Sequence, residues 1–136
     1  MVLNRKKLPL FDLASRELIF GKPDRIYTYD DFEPYQRWMS KLCINLKYVY
    51  LGADMGLGKT ATALKAASIW LKKGKCRRVM IIAPLNVANH TWPDEIAKWD
   101  FARDLTYTVV TGNEEQRIWA LNRPSQLVII NRENVV

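Results

Sequence analysis

The most constraining feature of this chain is the stretch Tyr48-Val-Tyr-Leu-Gly-Ala-Asp-Met-Gly-Leu-Gly-Lys-Thr-Ala-Thr-Ala-Leu64. A short β-branched and aromatic run, Tyr48 to Leu51, breaks into a glycine-rich turn, and Lys59 and Thr60 lead into an alanine-rich helical segment from Ala61. This order predicts a strand, a phosphate-binding loop and a helix. A triphosphate is held mostly by backbone N–H groups lining a concave loop at the positive end of a helix. Gly56 and Gly58 permit backbone angles and close approach that a Cβ would block. Lys59 is placed to reach the β- and γ-phosphates, and the Thr60 hydroxyl is the natural Mg²⁺ ligand. The generic pattern G-x-x-x-x-G-K-[ST] is met except at its first glycine, where Ala53 stands after Gly52. A plain glycine turn before a lysine-led helix is the bland alternative; Gly-Lys-Thr at a strand-to-helix junction favours a nucleotide.

A length of 136 residues fits one domain, at the small end for a nucleotide-hydrolysing unit. Hydrophobic residues at 49% and charged residues at 26% place the chain among ordinary globular proteins. The net charge of +7, from 21 Lys and Arg against 14 Asp and Glu, favours attraction to polyanions, of which nucleic acid is the commonest. Cys43 and Cys76 are too few and too far apart for a zinc site, and no apolar h-region follows Arg5, Lys6 and Lys7. A reducing, cytoplasmic setting is expected. No run approaches the roughly 18 apolar residues of a membrane span, so no membrane partner is expected. His90 has no His or Cys nearby and is given no metal or catalytic role.

Residues 1–29 form an extension in which Leu8 to Phe20 could hold a short helix before the breakers Gly21 and Pro23. Asp30, Asp31, Glu33 and Pro34 then open a helix running to about Asn45, with Tyr35, Trp38, Met39 and Leu42 on one face. Tyr48 to Leu51 reads as the first strand and Lys59 to about Leu71 as the loop-bearing helix, closed by Lys72-Lys-Gly-Lys75. Lysines there suit the helix dipole and glycine stops the helix, a reading preferred over a nucleic-acid patch. The unalternated run Val79 to Ala83 reads as a parallel strand buried on both faces. From Asn86 the pattern turns helical. Pro93 predicts a short turn ending near Thr91, a new cap, and a restart through Asp94, Ile96, Ala97 and Trp99. Thr106 to Val110 is a third strand, Asn113 and Gln116 make a capping box before a helix over Glu114 to Leu121, and Leu127 to Ile130 is a fourth strand. Alternating strands and helices imply an α/β fold with a mostly parallel sheet of about four strands.

Four stretches resemble one family. Ala53-Asp-Met-Gly-Leu-Gly-Lys-Thr60 is similar to the first motif of the SNF2-like branch of superfamily 2 helicases and translocases, in which alanine is normal at the Ala53 position. Pro34-Tyr-Gln-Arg37 looks like the family's Q motif, whose glutamine reads the adenine edge. Ile82-Ala-Pro-Leu-Asn86, followed by Trp92 to Trp99, resembles motif Ia and its helix, and Ile130 to Asn134 stands in the place of motif Ib. The resemblance covers Phe32 to Val136, and the wording is most similar to compact phage or prophage members. It implies a partial RecA-like, P-loop NTPase fold over 30–136, forming the first part of helicase domain 1. ATP and Mg²⁺ would be held by Gln36, Asp54, Met55, Gly56, Leu57, Gly58, Lys59 and Thr60, with Lys59 and Thr60 serving catalysis. Duplex DNA would be met by Pro84, Leu85, Asn86, Asn131 and Arg132. Trp92, Ile96 and Trp99 are better read as helix core.

In this family hydrolysis needs a carboxylate pair, Asp-Glu-x-His, on a further strand, together with a second RecA-like domain that supplies arginine fingers. Val136 comes before any such strand, and Asp94-Glu95, at a helix start, reads as a pair of capping carboxylates. The expectation is therefore an ATP-binding portion of a longer enzyme, by itself no competent motor, whose incomplete sheet edge could drive self-association. The alternative is a stand-alone, non-catalytic protein that binds nucleotide or DNA. A small-molecule kinase would share the loop but leave the Pro84–Asn86 and Asn131–Asn134 stretches unexplained.

Overall fold

Proline at the first turn and a run of good helix formers nucleate α1, Pro34–Asn45, and its N-terminus is fastened by the Gln36 side chain, whose Oε1 accepts from the Glu33 N–H at 2.9 Å. The computed structural model describes residues 24–53 and 56–135, so the expected helix over Leu8 to Phe20 lies outside the described residues. The loop-bearing helix α2 spans Lys59–Lys72 and is followed by β1, Val79–Ala83. A π-helical turn at Val87–Thr91 passes without a break into α3, Trp92–Lys98; then come β2, Tyr107–Val110, α4, Glu114–Leu121, and β3, Leu127–Asn131. The expected capping box of α4 is present: the Gln116 N–H donates to Asn113 Oδ1 at 2.9 Å and the Asn113 N–H to Gln116 Oε1 at 3.0 Å.

The sheet is wholly parallel in the order β1-β3-β2, with Val79 opposite Leu127 and Tyr107 opposite Leu127 in register. Parallel pairing requires a crossover between strands, and α3 and α4 supply the two. One face of the sheet, with Ile81, Tyr107, Leu127 and Ile129, packs with Leu64 and Ala67 of α2 and Ile96 of α3. The other face is a smaller cluster of Val110, Val128, Ile130 and Ala120 under Trp119. The fold is α/β, a wholly parallel three-stranded sheet with α2 and α3 on one face and α4 on the other.

Three expectations are corrected. Tyr48 to Leu51 forms no strand: none of the described strands pairs with it, and Tyr48 and Tyr50 are 82% and 92% exposed. An extended run without a partner leaves its backbone groups to water, so the described sheet has three strands rather than four. β1 is not buried on both faces either. Ile81 and Ala83 face the core, whereas Met80 and Ile82 are 59% and 54% exposed, because β1 is an edge strand and α4 packs against β2 instead. At Thr91 there is no capping bond; the chain stays helical and Pro93 takes an early position in α3, where a proline loses least.

Residues 24–33 are strapped across α3. Tyr27 and Trp99 form a single parallel bridge, with the Tyr27 N–H donating to the Lys98 carbonyl and the Asp100 N–H to the Tyr27 carbonyl, both at 2.9 Å. Phe32, buried, meets Trp99 and Phe101 edge-on at 5.0 and 5.8 Å. Arg37 of α1 donates to the Phe32 and Asp30 carbonyls, joining the strap to the helix that carries Gln36. Lys65 of α2 lies over the rings of Tyr29 and Phe101, and burial, with Lys72 as a second cause, pushes its pKa below the usual lysine value. Trp92, Ile96 and Trp99 all pack in or against the core, as expected. Glu95 does more than favour a helix N-terminus: its carboxylate accepts from the Trp99 indole at 2.7 Å and pairs with Lys98 at 3.1 Å.

Phe32→Ala should cost about 3–5 kcal/mol of unfolding free energy, as buried aromatic truncations do. Trp38→Ala, at a side chain that is 62% exposed, should change stability by under about 0.5 kcal/mol. Urea unfolding followed by tryptophan fluorescence and circular dichroism measures both.

Candidate functional site: a phosphate loop and the strand ends

The turn into α2 is built on glycine. Gly56 and Gly58 have φ of +82° and +74°, left-handed values that cost side-chain-bearing residues about 1–2 kcal/mol. Gly58 caps α2 in this conformation, so the first N–H groups of the helix have no intrahelical acceptor and remain available to an anion. Thr62, fully buried, donates its hydroxyl to the Gly58 carbonyl at 3.0 Å and steadies the cap from below. Lys59 folds its side chain back across the loop and donates Nζ to the Ala53 carbonyl at 2.6 Å. The ammonium is thereby held at the loop, and the Ala53 carbonyl does for it what a phosphate oxygen could. Thr60 sits in the first turn of α2, partly buried. Asp54 and Met55 lie outside the described residues.

Gln36 is brought to this loop from 22 residues upstream. Its Nε2 donates to the Gly58 carbonyl at 3.4 Å while its Oε1 holds the Glu33 N–H, and the residue is 8% exposed. A carboxamide has two donor hydrogens and two acceptor lone pairs, so one of each is left over for a ligand edge. A Cβ on Gly58 would lie 2.0 Å from Gln36 Nε2. Glycine is needed there twice, for the backbone angle and for the space that the glutamine fills.

The second group of residues lies at the carboxyl ends of the strands. Because α2 returns into the start of β1, its N-terminus and the loop lie toward the same rim of the sheet as Pro84, Leu85 and Asn86, which follow β1 and are all exposed. Asn131 ends β3 with its side chain buried. Its Nδ2 donates to Glu133 Oε2 at 3.0 Å and its Oδ1 accepts from Asn134 Nδ2. In this arrangement Asn131 orders the turn and Arg132 is the exposed member, 3.3 Å from Glu133. The Glu133 carboxyl is held below its ordinary pKa by its own backbone N–H and by the Asn131 amide. Sequence reasoning passed over Thr111 and Asn89, whose side chains meet at 3.1 Å between the end of β2 and the π-helical turn. Thr111 directly follows β2, a position that could have singled it out, whereas its pairing with Asn89 is set by the tertiary fold. Among the described residues no three His, Cys, Asp or Glu side chains gather as a metal site, and no helix is long and apolar enough to cross a membrane.

Fold and loop together define an α/β phosphate-loop domain. The profile of the SNF2-related domain family matches residues 35–134, and the chain belongs to that family. It is 34% identical over 105 residues to protein p41 of Acyrthosiphon pisum secondary endosymbiont phage 1, an alignment covering 76% of this chain and 23% of p41. It is also 38% identical over 68 residues to the chromatin remodeling factor mit1 of Schizosaccharomyces pombe, covering 49% of this chain and 4% of mit1. The chain thus spans under a quarter of the length of either relative.

Gly58→Ala should destabilise more than Gly74→Ala. Both glycines have positive φ, but a Cβ at Gly74 meets open space. In a Gln36→Ala background the excess should vanish, leaving only the roughly 1–2 kcal/mol of backbone strain at each. Urea titration of the double-mutant cycle reads the coupling.

Proposed function

We propose that this chain is the ATP-binding, amino-terminal portion of an SNF2-like DNA translocase, with the complete enzyme coupling ATP hydrolysis to movement along duplex DNA. The observation that carries this reading is the Lys59 ammonium held on the Ala53 carbonyl beside a Gly58 cap in contact with Gln36. The loop N–H groups and Lys59 would hold the β- and γ-phosphates, and Thr60 would give its hydroxyl to the Mg²⁺ that accompanies them. Gln36 would offer its spare N–H and lone pair to the adenine edge, and its bond to Gly58 would tie base recognition to the shape of the phosphate loop. Asp54, Met55, Gly56 and Leu57 would complete the cradle. Bound ATP supplies the transferable phosphoryl group. Lys59 and Thr60 align it, and the carboxylate pair and arginine fingers that phosphoryl transfer needs would come from elsewhere in the complete enzyme.

DNA would lie along the strand-end rim, with backbone contacts from Pro84, Leu85 and Asn86 and a cation from Arg132, whose turn Asn131 holds. Proteins of this family act on DNA, and the net charge of +7 is consistent with a phosphate-backbone partner. A cytoplasmic location fits this role.

A second reading concerns assembly. The outer edge of β1 is unpaired among the described residues, with Met80 and Ile82 exposed beside it. An edge of this kind favours self-association at high protein concentration. Sedimentation velocity should show concentration-dependent dimers that Ile82→Lys abolishes; identical profiles for the two proteins would remove this reading.

ATP with Mg²⁺ at a hundredfold excess over its dissociation constant should stabilise the folded chain by about 2.7 kcal/mol. Lys59→Ala should abolish the corresponding rise in melting temperature. An equal rise in wild type and variant would rule out the assigned phosphate site.

A further inference from the structure

The chain's charge is not spread evenly. Between Met55 and Pro93 stand seven cations, Lys59, Lys65, Lys72, Lys73, Lys75, Arg77 and Arg78, with no Asp or Glu among them, while the rest of the chain carries fourteen of each sign. The whole net charge of +7 therefore belongs to this one segment. Lys59 is engaged in the phosphate loop and Lys65 lies over the Tyr29 and Phe101 rings. The other five are exposed, and the fold gathers them at one place, the turn from the C-terminus of α2 into the start of β1.

That turn is at the amino-terminal rim of the sheet, opposite the strand-end loops. The Val79 N–H donates to the Gln126 carbonyl and the Leu127 N–H to the Thr106 carbonyl, so β1, β2 and β3 all begin there. Arg78 fastens the rim by donating from Nε to the Ser125 carbonyl at 3.0 Å and from Nη2 to the Arg123 carbonyl at 2.9 Å. The helix dipole accounts for cations in the last turn of α2 and no further. Arg77 and Arg78 lie beyond Gly74, whose φ of +70° has already ended the helix, and the dipole gives no reason for them. Asp100 interacts with Lys65, and Asp104 stands on the turn before β2. No exposed large hydrophobic residue falls between Lys72 and Val79. Such a surface lacks both the apolar wedge of a membrane-binding element and the aromatic platform of a single-strand site.

We infer that Lys72, Lys73, Lys75 and Arg77 form a second contact surface for the phosphate backbone of duplex nucleic acid, on the rim of the sheet opposite the strand-end loops. The inference rests on the nucleic-acid part of the reading above and is independent of ATP. Each cation that neutralises a phosphate releases counterions, so it contributes about 0.9 to the slope of log affinity against log salt. Four contacts should contribute roughly three to four to that slope.

The test is fluorescence anisotropy of a short labelled duplex titrated with the 136-residue chain over a series of salt concentrations. The variant replaces Lys72, Lys73, Lys75 and Arg77 with Gln and keeps Arg78, which holds the α4–β3 turn. Unchanged melting in the absence of ligand and an unchanged ATP-dependent shift show that the variant is folded and its phosphate loop intact. The expected result is affinity weakened at least about tenfold near physiological salt and a slope reduced by about three. Arg132→Gln should leave that rim contribution in place. A slope and affinity equal to wild type, with the ATP shift preserved, overturn the rim and leave the ATP site standing. Binding by wild type to phosphatidylserine vesicles but not to the duplex overturns it in favour of a membrane.

Discussion

Burial of β3 on both faces is the constraint on which the rest of the structure depends. All five of its residues are buried, with β1 and β2 hydrogen-bonded to its two edges in parallel. A central strand of this kind needs an unbroken apolar run, and Leu127-Val-Ile-Ile130 provides it. Parallel neighbours then bring every strand's carboxyl end to one rim and every amino end to the other. The first rim receives the loops after β1, β2 and β3 together with the N-terminus of α2; the second receives the chain's surplus of positive charge. The two-sided character of the domain follows from the direction of one buried strand.

The phosphate loop adds a local constraint to this frame. A left-handed glycine at the helix cap, a buried threonine hydroxyl beneath it and a glutamine amide beside it all converge on one carbonyl, that of Gly58. Lys59 is held meanwhile by the Ala53 carbonyl. The Gln36 and Lys59 bonds join side chains that a nucleotide would address to the backbone carbonyls of Gly58 and Ala53.

Most of the helices and all three strands were legible because they are set by local patterns: proline at the first turn of α1, the Asn113 and Gln116 box before α4, and the unbroken apolar runs of β1 and β3. The errors arose where local pattern is silent about partners. Tyr48 to Leu51 has the composition of a strand, yet composition supplies no neighbour to bond with. Val79 to Ala83 reads as apolar throughout, yet an apolar run cannot distinguish a central strand from an edge strand with one face open. The π-helical turn before Pro93 likewise reflects packing against the core. At the candidate site, residue types were readable from motif spacing, whereas the Gln36–Gly58 contact and the Thr111–Asn89 pair depend on tertiary structure and were not.

The claim that this loop holds a triphosphate is tested most directly by equilibrium titration of the chain with a fluorescent ATP analogue, with and without Mg²⁺. Saturable binding at one site, strengthened by Mg²⁺, displaced by ATP and ADP far better than by AMP, and lost in Lys59→Ala is the expected result. No saturable binding, or binding indifferent to the β-phosphate and to Lys59, would contradict it.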